Sequence, residues 1–133
     1  MAITADESNW PLVRISLGET FDQETVEEYI AYWEAVLSRR TPFGLLMIQT
    51  GERGDRPAKE VTKHYMDWCK AHKEEIASVC AGIAVVMPTA KLLALYKPVT
   101  ALSTKKMYGC PGGAFGSEEE AAGWLQGLLN KAD

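Results

Sequence analysis

The sequence predicts an α/β protein built on one mixed, mostly parallel sheet of four or five strands, packed with about four helices. Three observations carry this. Two continuous apolar runs of strand length, Phe43–Ile48 and Ala81–Pro88, lie deep in the chain. Segments with apolar residues at helical spacing alternate with the strand-like ones, the pattern of strands joined by crossover helices. The chain has 133 residues, 47% hydrophobic and 24% charged, which is the size and composition of one globular domain. No repeat or composition shift divides residues 1–133, so a single domain is expected.

Ile3–Glu7 reads as a short partner strand, turned by Ser8-Asn9. Trp10–Leu17 alternates, with Leu12, Arg14 and Ser16 on one face and Val13, Ile15 and Leu17 on the other. Pro11 suits the beginning of a strand and Gly18 its end. Thr20 or Asp22 can cap the first helix, about 22–40, and Glu24, Glu27 and Glu28 sit at its positive end. Val26, Tyr29, Ile30, Trp33 and Leu37 form its apolar stripe, Arg39 and Arg40 stand at its negative end, and Thr41-Pro42 stops it.

Phe43–Thr50 is a strand with no polar face before Gln49, so it is expected to be central and covered on both sides. Gly51–Pro57 is a loop in which Asp55 can cap the next helix and Pro57 suits its first turn. Val61, Tyr65, Trp68, His72, Ile76 and Val79 mark that helix, with a break expected near His72–Glu75. Gly82–Pro88 is a second buried strand. Thr89 caps a third helix carrying Leu92, Leu95, Tyr96 and Val99, which Pro98 is expected to end or kink near Lys97. Residues 100–113 carry heavy punctuation and no clear element. Ala114-Phe115 reads as a short edge strand. Ser117–Glu120 is a capping box opening a last helix striped by Ala121, Trp124, Leu125 and Leu128.

Composition excludes several functions. Fourteen Lys and Arg against 18 Asp and Glu give a net charge of -4, with no drive toward nucleic acid or anionic lipid. The mixed charges from Lys59 to Glu75 read as a solvated helix face. Cys69, Cys80 and Cys110 show no C-x-x-C spacing, and only His64 and His72 could assist them, so neither a metal nor a cofactor is expected. An odd cysteine count without a framework fits a reducing compartment, hence the cytoplasm. Met1–Asn9 has acidic residues and no apolar core, so a secretion signal is not expected there. The apolar runs are far shorter than a membrane span.

The best candidate contact is the loop after the central strand. Thr50, Gly51, Arg53, Gly54 and Arg56 would stand at the carboxyl edge of the sheet, where open α/β sheets bind ligands. The glycines permit close approach, the following helix start favours anions, and the arginines offer forked donors. Glu52 and Asp55 offset that charge, and the Lys and Ser/Thr of a P-loop are missing. Neither His64 nor His72 has a partner set that makes a reaction, and no nucleophile elbow or carboxylate pair is present, so an enzyme is not expected. Cys69 and Cys80 read as core residues, and Cys110 as an accessible thiol in a turn. Trp33, Trp68 and Trp124 fall on helical stripes and read as core anchors, whereas Trp10 reads as partly exposed.

Several stretches resemble small bacterial STAS-like proteins, the SpoIIAA-like relatives of anti-sigma-factor antagonists. Asp6–Val13 looks like their Trp-Pro hairpin; Cys80–Val86, Phe115–Leu125 and Trp68–His72 are also similar. The resemblance spans nearly the whole chain and rests mostly on core positions. It implies a mixed sheet with helices to one side and a non-enzymatic, protein-binding regulatory role. It also implies a phosphorylation switch in an Asp-Ser-Ser-Gly-like turn. The matching place is Ile48–Asp55, where those serines are absent and Thr50 is the acceptor hydroxyl. The partner expected is a protein, with homodimerisation through an exposed hairpin edge as a further option. The rival reading is a small-molecule binder with a pocket for an apolar or acidic ligand between sheet and helices. A deep apolar cavity near Tyr96 or Trp33 would favour it.

Overall fold

The computed structural model describes residues 3–17, 23–49, 59–87 and 89–132. Its elements run β1 (Ile3–Asp6), β2 (Leu12–Leu17), α1 (Gln23–Leu37), β3 (Phe43–Gln49), α2 (Lys59–Val79), β4 (Cys80–Val86), α3 (Ala90–Tyr108), β5 (Gly112–Phe115) and α4 (Glu118–Ala132). The strands form one sheet in the order β1-β2-β3-β4-β5. β1 pairs with β2 antiparallel, and the other pairs are parallel. The predicted α/β class and mixed, mostly parallel sheet are therefore observed. The capping residues expected at Thr20, Asp22 and Asp55, and Pro57, lie outside the described residues.

The strand order explains where the helices go. Each crossover from β2 to β5 steps one strand in the same direction. Right-handed connections that all step one way leave their helices on one face. Accordingly α1, α2 and the end of α3 share a core with Val13, Ile15, Phe43, Leu45, Met47 and Ile83. α4 follows the last strand and closes no crossover, so it is free to cover the opposite face. There Ala121 and Leu125 pack on Leu46, Ile48, Ala84 and Val86. The helices thus divide between two faces, where the resemblance implied one side. β3 alternates Leu45 and Met47 toward one core and Leu46 and Ile48 toward the other, as its unbroken apolar run requires.

Local chemistry sets the boundaries. Thr89 caps α3 by accepting from the Leu92 N–H at 3.1 Å, and Ser117 caps α4 through the Glu120 N–H at 3.2 Å. Both hydroxyls satisfy amides that a helix start leaves open. Gly109 closes α3 at φ +79°, a conformation that suits glycine. α1 ends at Leu37, and Arg40 turns the chain at φ +54°. Arg39 lies 4.3 Å from the Trp10 ring centroid and pairs with Glu7. Trp10 is half-buried, its ring 6.2 Å from that of Phe43.

Three sequence expectations are corrected. α2 is continuous through His72–Glu75. α3 does not end at Pro98 but runs on to Tyr108. Pro98 lacks the N–H that would bond to Ala94, but both residues are exposed, so water can solvate the freed carbonyl. Cys110 is buried in the larger core and is no accessible thiol, because Gly109 turns the chain inward against β4.

Candidate functional site

Thr50, Gly51, Arg53, Gly54 and Arg56 fall between the end of β3 at Gln49 and the start of α2 at Lys59, outside the described residues. The site that the structure does present is on α3. Leu95, Val99 and Leu102 are 64%, 50% and 75% exposed. At spacings of four and three residues they form one ridge along the helix. Lys91 lies four residues before it and Lys106 four after it, on the same face. Tyr96 is exposed beside the ridge. An apolar stripe thus faces solvent, bracketed by ammonium groups.

The ridge runs into an open groove between α2 and α3 of about 680 Å³, lined by Met66, Asp67, Lys70, Lys73, Ser103, Lys106 and Met107. Asp67 is already engaged, accepting from Lys63 Nζ at 2.7 Å. That ammonium holds the Asp67 carboxyl below the usual carboxylate range. Lys70, Lys73 and Lys106 therefore set the sign of the groove. From Ile76 to Ser117 the chain has four lysines and no Asp or Glu. A protein of net charge -4 thus presents one basic face with an apolar crest.

A second groove, about 250 Å³, is lined by Asp6, Asn9, Leu12, Arg14, Leu46, Glu118, Glu119 and Ala122. Its one cation is already engaged by a carboxylate of the same lining. Arg14 Nε donates to Glu118 Oε1 at 2.7 Å and Nη2 to Oε2 at 3.3 Å.

The buried polar groups serve the core. The hydroxyls of Tyr65 and Tyr108 share a hydrogen bond, and Tyr29 Oη donates to Met47 Sδ at 3.8 Å. Burial pushes all three phenols up, so they stay neutral. The other face of this aromatic cluster is Trp33, buried against Tyr108, Phe43, Trp68 and Tyr29 at centroid distances from 5.7 to 6.3 Å. Packed rings surround Trp33, and Tyr96 lies on the outer surface. His64 is exposed. His72 is half-buried over Trp68 at 4.6 Å, its Nδ1 3.4 Å from Glu75 Oε1. Among the described residues, no three His, Cys, Asp or Glu side chains converge as a metal site. None of their helices is long and apolar enough to cross a membrane.

No family model matches the chain, and neither does any curated protein. Among solved structures, it is similar to the crystal structure of an uncharacterized protein of the DUF3478 family with a SpoIIAA-like fold from Shewanella loihica PV-4. The match covers 93% of this chain and 92% of that one, with a TM-score of 0.64 and 14% identity. At that identity the likeness concerns the fold, and the chain has the SpoIIAA-like fold that its hairpin and strand residues pointed to.

Proposed function

We propose, taking that shared fold as premise, that this chain is a non-enzymatic regulatory module that binds an acidic amphipathic helix of a partner protein along α3. The carrying observation is the solvent-facing ridge of Leu95, Val99 and Leu102 between Lys91 and Lys106. Exposed apolar patches rimmed by charge are characteristic of contact surfaces. A helix laid along such a ridge engages anchors at i, i+4 and i+7. Charge selects among occupants. A second copy laid antiparallel would set Lys91 of one chain near Lys106 of the other, and like charges oppose that pairing. A helix with glutamates flanking its apolar stripe meets the lysines favourably. Thr50, Gly51, Arg53, Gly54 and Arg56 are proposed as a second contact, on sequence grounds, with Thr50 as the hydroxyl a kinase would modify. The absence of any cysteine framework in the sequence supports placing this activity in the bacterial cytoplasm.

The test is fluorescence anisotropy with a labelled synthetic helix carrying leucines on one face and glutamates on the flanks. Micromolar binding is expected, weakened at least tenfold when lysines replace the glutamates or when Leu102→Ser is introduced. Leu102 is exposed, so that variant should change stability by no more than about 0.5 kcal/mol. Equal affinity for both peptides, indifference to Leu102→Ser, or binding to anionic phospholipid vesicles in place of the peptide would each refute the proposal.

A further inference from the structure

Cys80 opens β4, and Cys110 stands two residues before β5. The Ile83 N–H donates to the Pro111 carbonyl at 2.9 Å, so the chain at this point already runs beside the start of β4. The two sulfurs lie 3.8 Å apart, and the residues are 3% and 2% exposed. We propose that Cys80 and Cys110 form a reversible modification site, closing an intramolecular disulfide when the protein meets a hydroperoxide. The bond would require the sulfurs to approach to about 2.05 Å, a movement shared between two side chains.

Cys110 is the attacking group. The Cys80 thiol beside it and the Lys105 ammonium push its thiol down, against burial, whereas pairing with Cys110 and burial push Cys80 up. The Cys110 thiolate attacks one peroxide oxygen. An S–O bond forms, the O–O bond breaks, and two electrons pass from sulfur to oxygen. The departing hydroxide takes up the thiol proton as water. Cys80 then attacks Cys110 Sγ. The S–S bond forms, the S–O bond breaks, and the second oxygen leaves as water with the Cys80 proton. Two thiols and one hydrogen peroxide give one disulfide and two waters. Access comes from the junction itself. Gly109–Pro111 lies outside regular structure between α3 and β5, so local opening there uncovers Cys110 without unfolding the sheet.

The closed loop, Cys80 to Cys110, contains all of α3, and its closure restricts the unfolded chain. Cys69 provides an internal control, since it lies on α2 among Tyr65 and Tyr108. The reduced protein is treated with hydrogen peroxide, quenched, denatured and titrated for thiols. The count should fall from three cysteines to one, with the mass lower by two hydrogens. Peptide mapping should link Cys80 to Cys110, and dithiothreitol should restore all thiols. The oxidised form should melt roughly 5–10 °C higher. Cys69→Ala should still form the link. Persistence of all three thiols, oxygen addition without a cross-link, or a bond through Cys69 or between chains would overturn the proposal.

Discussion

Trp33 is 2% exposed and touches four other aromatic rings. Trp124 lies half-buried on α4, its ring 5.4 Å from that of Phe115. Both fall on helical stripes in the sequence and both read there as core anchors. The stripe does not disclose how deep each sits. On α4 the deepest positions are Ala121, Leu125 and Leu129, and the indole covers the edge of that core. Trp33→Ala should therefore cost about 3–5 kcal/mol, through lost burial and a cavity its ringed neighbours cannot fill. Trp124→Ala should cost about 1–2 kcal/mol. Urea unfolding of the two variants checks this, and equal losses would contradict the packing described.

α3 and β5 meet where the sequence offers only punctuation. A Cβ on Gly112 would lie 2.2 Å from Thr104 Cβ. That neighbouring atom is fixed to the backbone of α3, so Gly112→Ala must separate helix from strand. A Cβ on Gly82 would meet the Cδ1 end of Leu128 at 2.7 Å, a terminus that can rotate away. Gly112→Ala should cost about 3 kcal/mol and Gly82→Ala about 1 kcal/mol. Thr104→Ala removes the Oγ1 and Cγ2 clashes at 2.3 and 2.6 Å but keeps the closest one, so it should rescue Gly112→Ala only in part. Full rescue by Thr104→Ala, or a cost for Gly112→Ala below that for Gly82→Ala, would refute this contact.

The same junction shows what was legible in the sequence. Continuous apolar runs announced β3 and β4, since strands covered on both faces have few alternatives. Capping chemistry announced the starts of α3 and α4. Pro98 concealed the length of α3, because a proline on a hydrated face ends no helix when its orphaned carbonyl can reach water. Glycines around Cys110 suggested a turn, whereas they permit close packing. Leu95 and Val99 belong to the stripe the sequence shows and Leu102 lies beyond it: periodicity identifies a face of a helix but does not say whether it meets the core or solvent. The candidate at Thr50–Arg56 came from sequence position alone, and the lysine-flanked ridge came from burial.

Across the whole molecule, the core chosen by these helices sets an alkaline limit on stability. Tyr29, Tyr65 and Tyr108, contributed by α1, α2 and α3, bring three phenols into one buried cluster. Burial pushes each well above the ordinary value near 10. Burial also pushes the Cys69 thiol among them up to about 11. A group whose folded pKa is raised keeps its full contribution below its unfolded pKa and loses it as pH rises toward the folded value. The unfolded chain releases these protons first, so stability falls with pH from about 9 for the thiol and about 10 for the phenols. Each phenol contributes a slope of about 1.4 kcal/mol per pH unit, roughly 4 kcal/mol for the three together. Urea unfolding from pH 8 to 11 should show that decline. The double variant Tyr65→Phe, Tyr108→Phe removes both partners of one hydrogen bond while keeping their shape, so its cost at pH 7 should be small. Above pH 10 its slope should be shallower by about 3 kcal/mol per pH unit, the share of the two phenols removed, with Tyr29 and Cys69 left to carry the rest. An unchanged slope in that variant would mean that these hydroxyls are not shielded from water as the packing of α1, α2 and α3 requires.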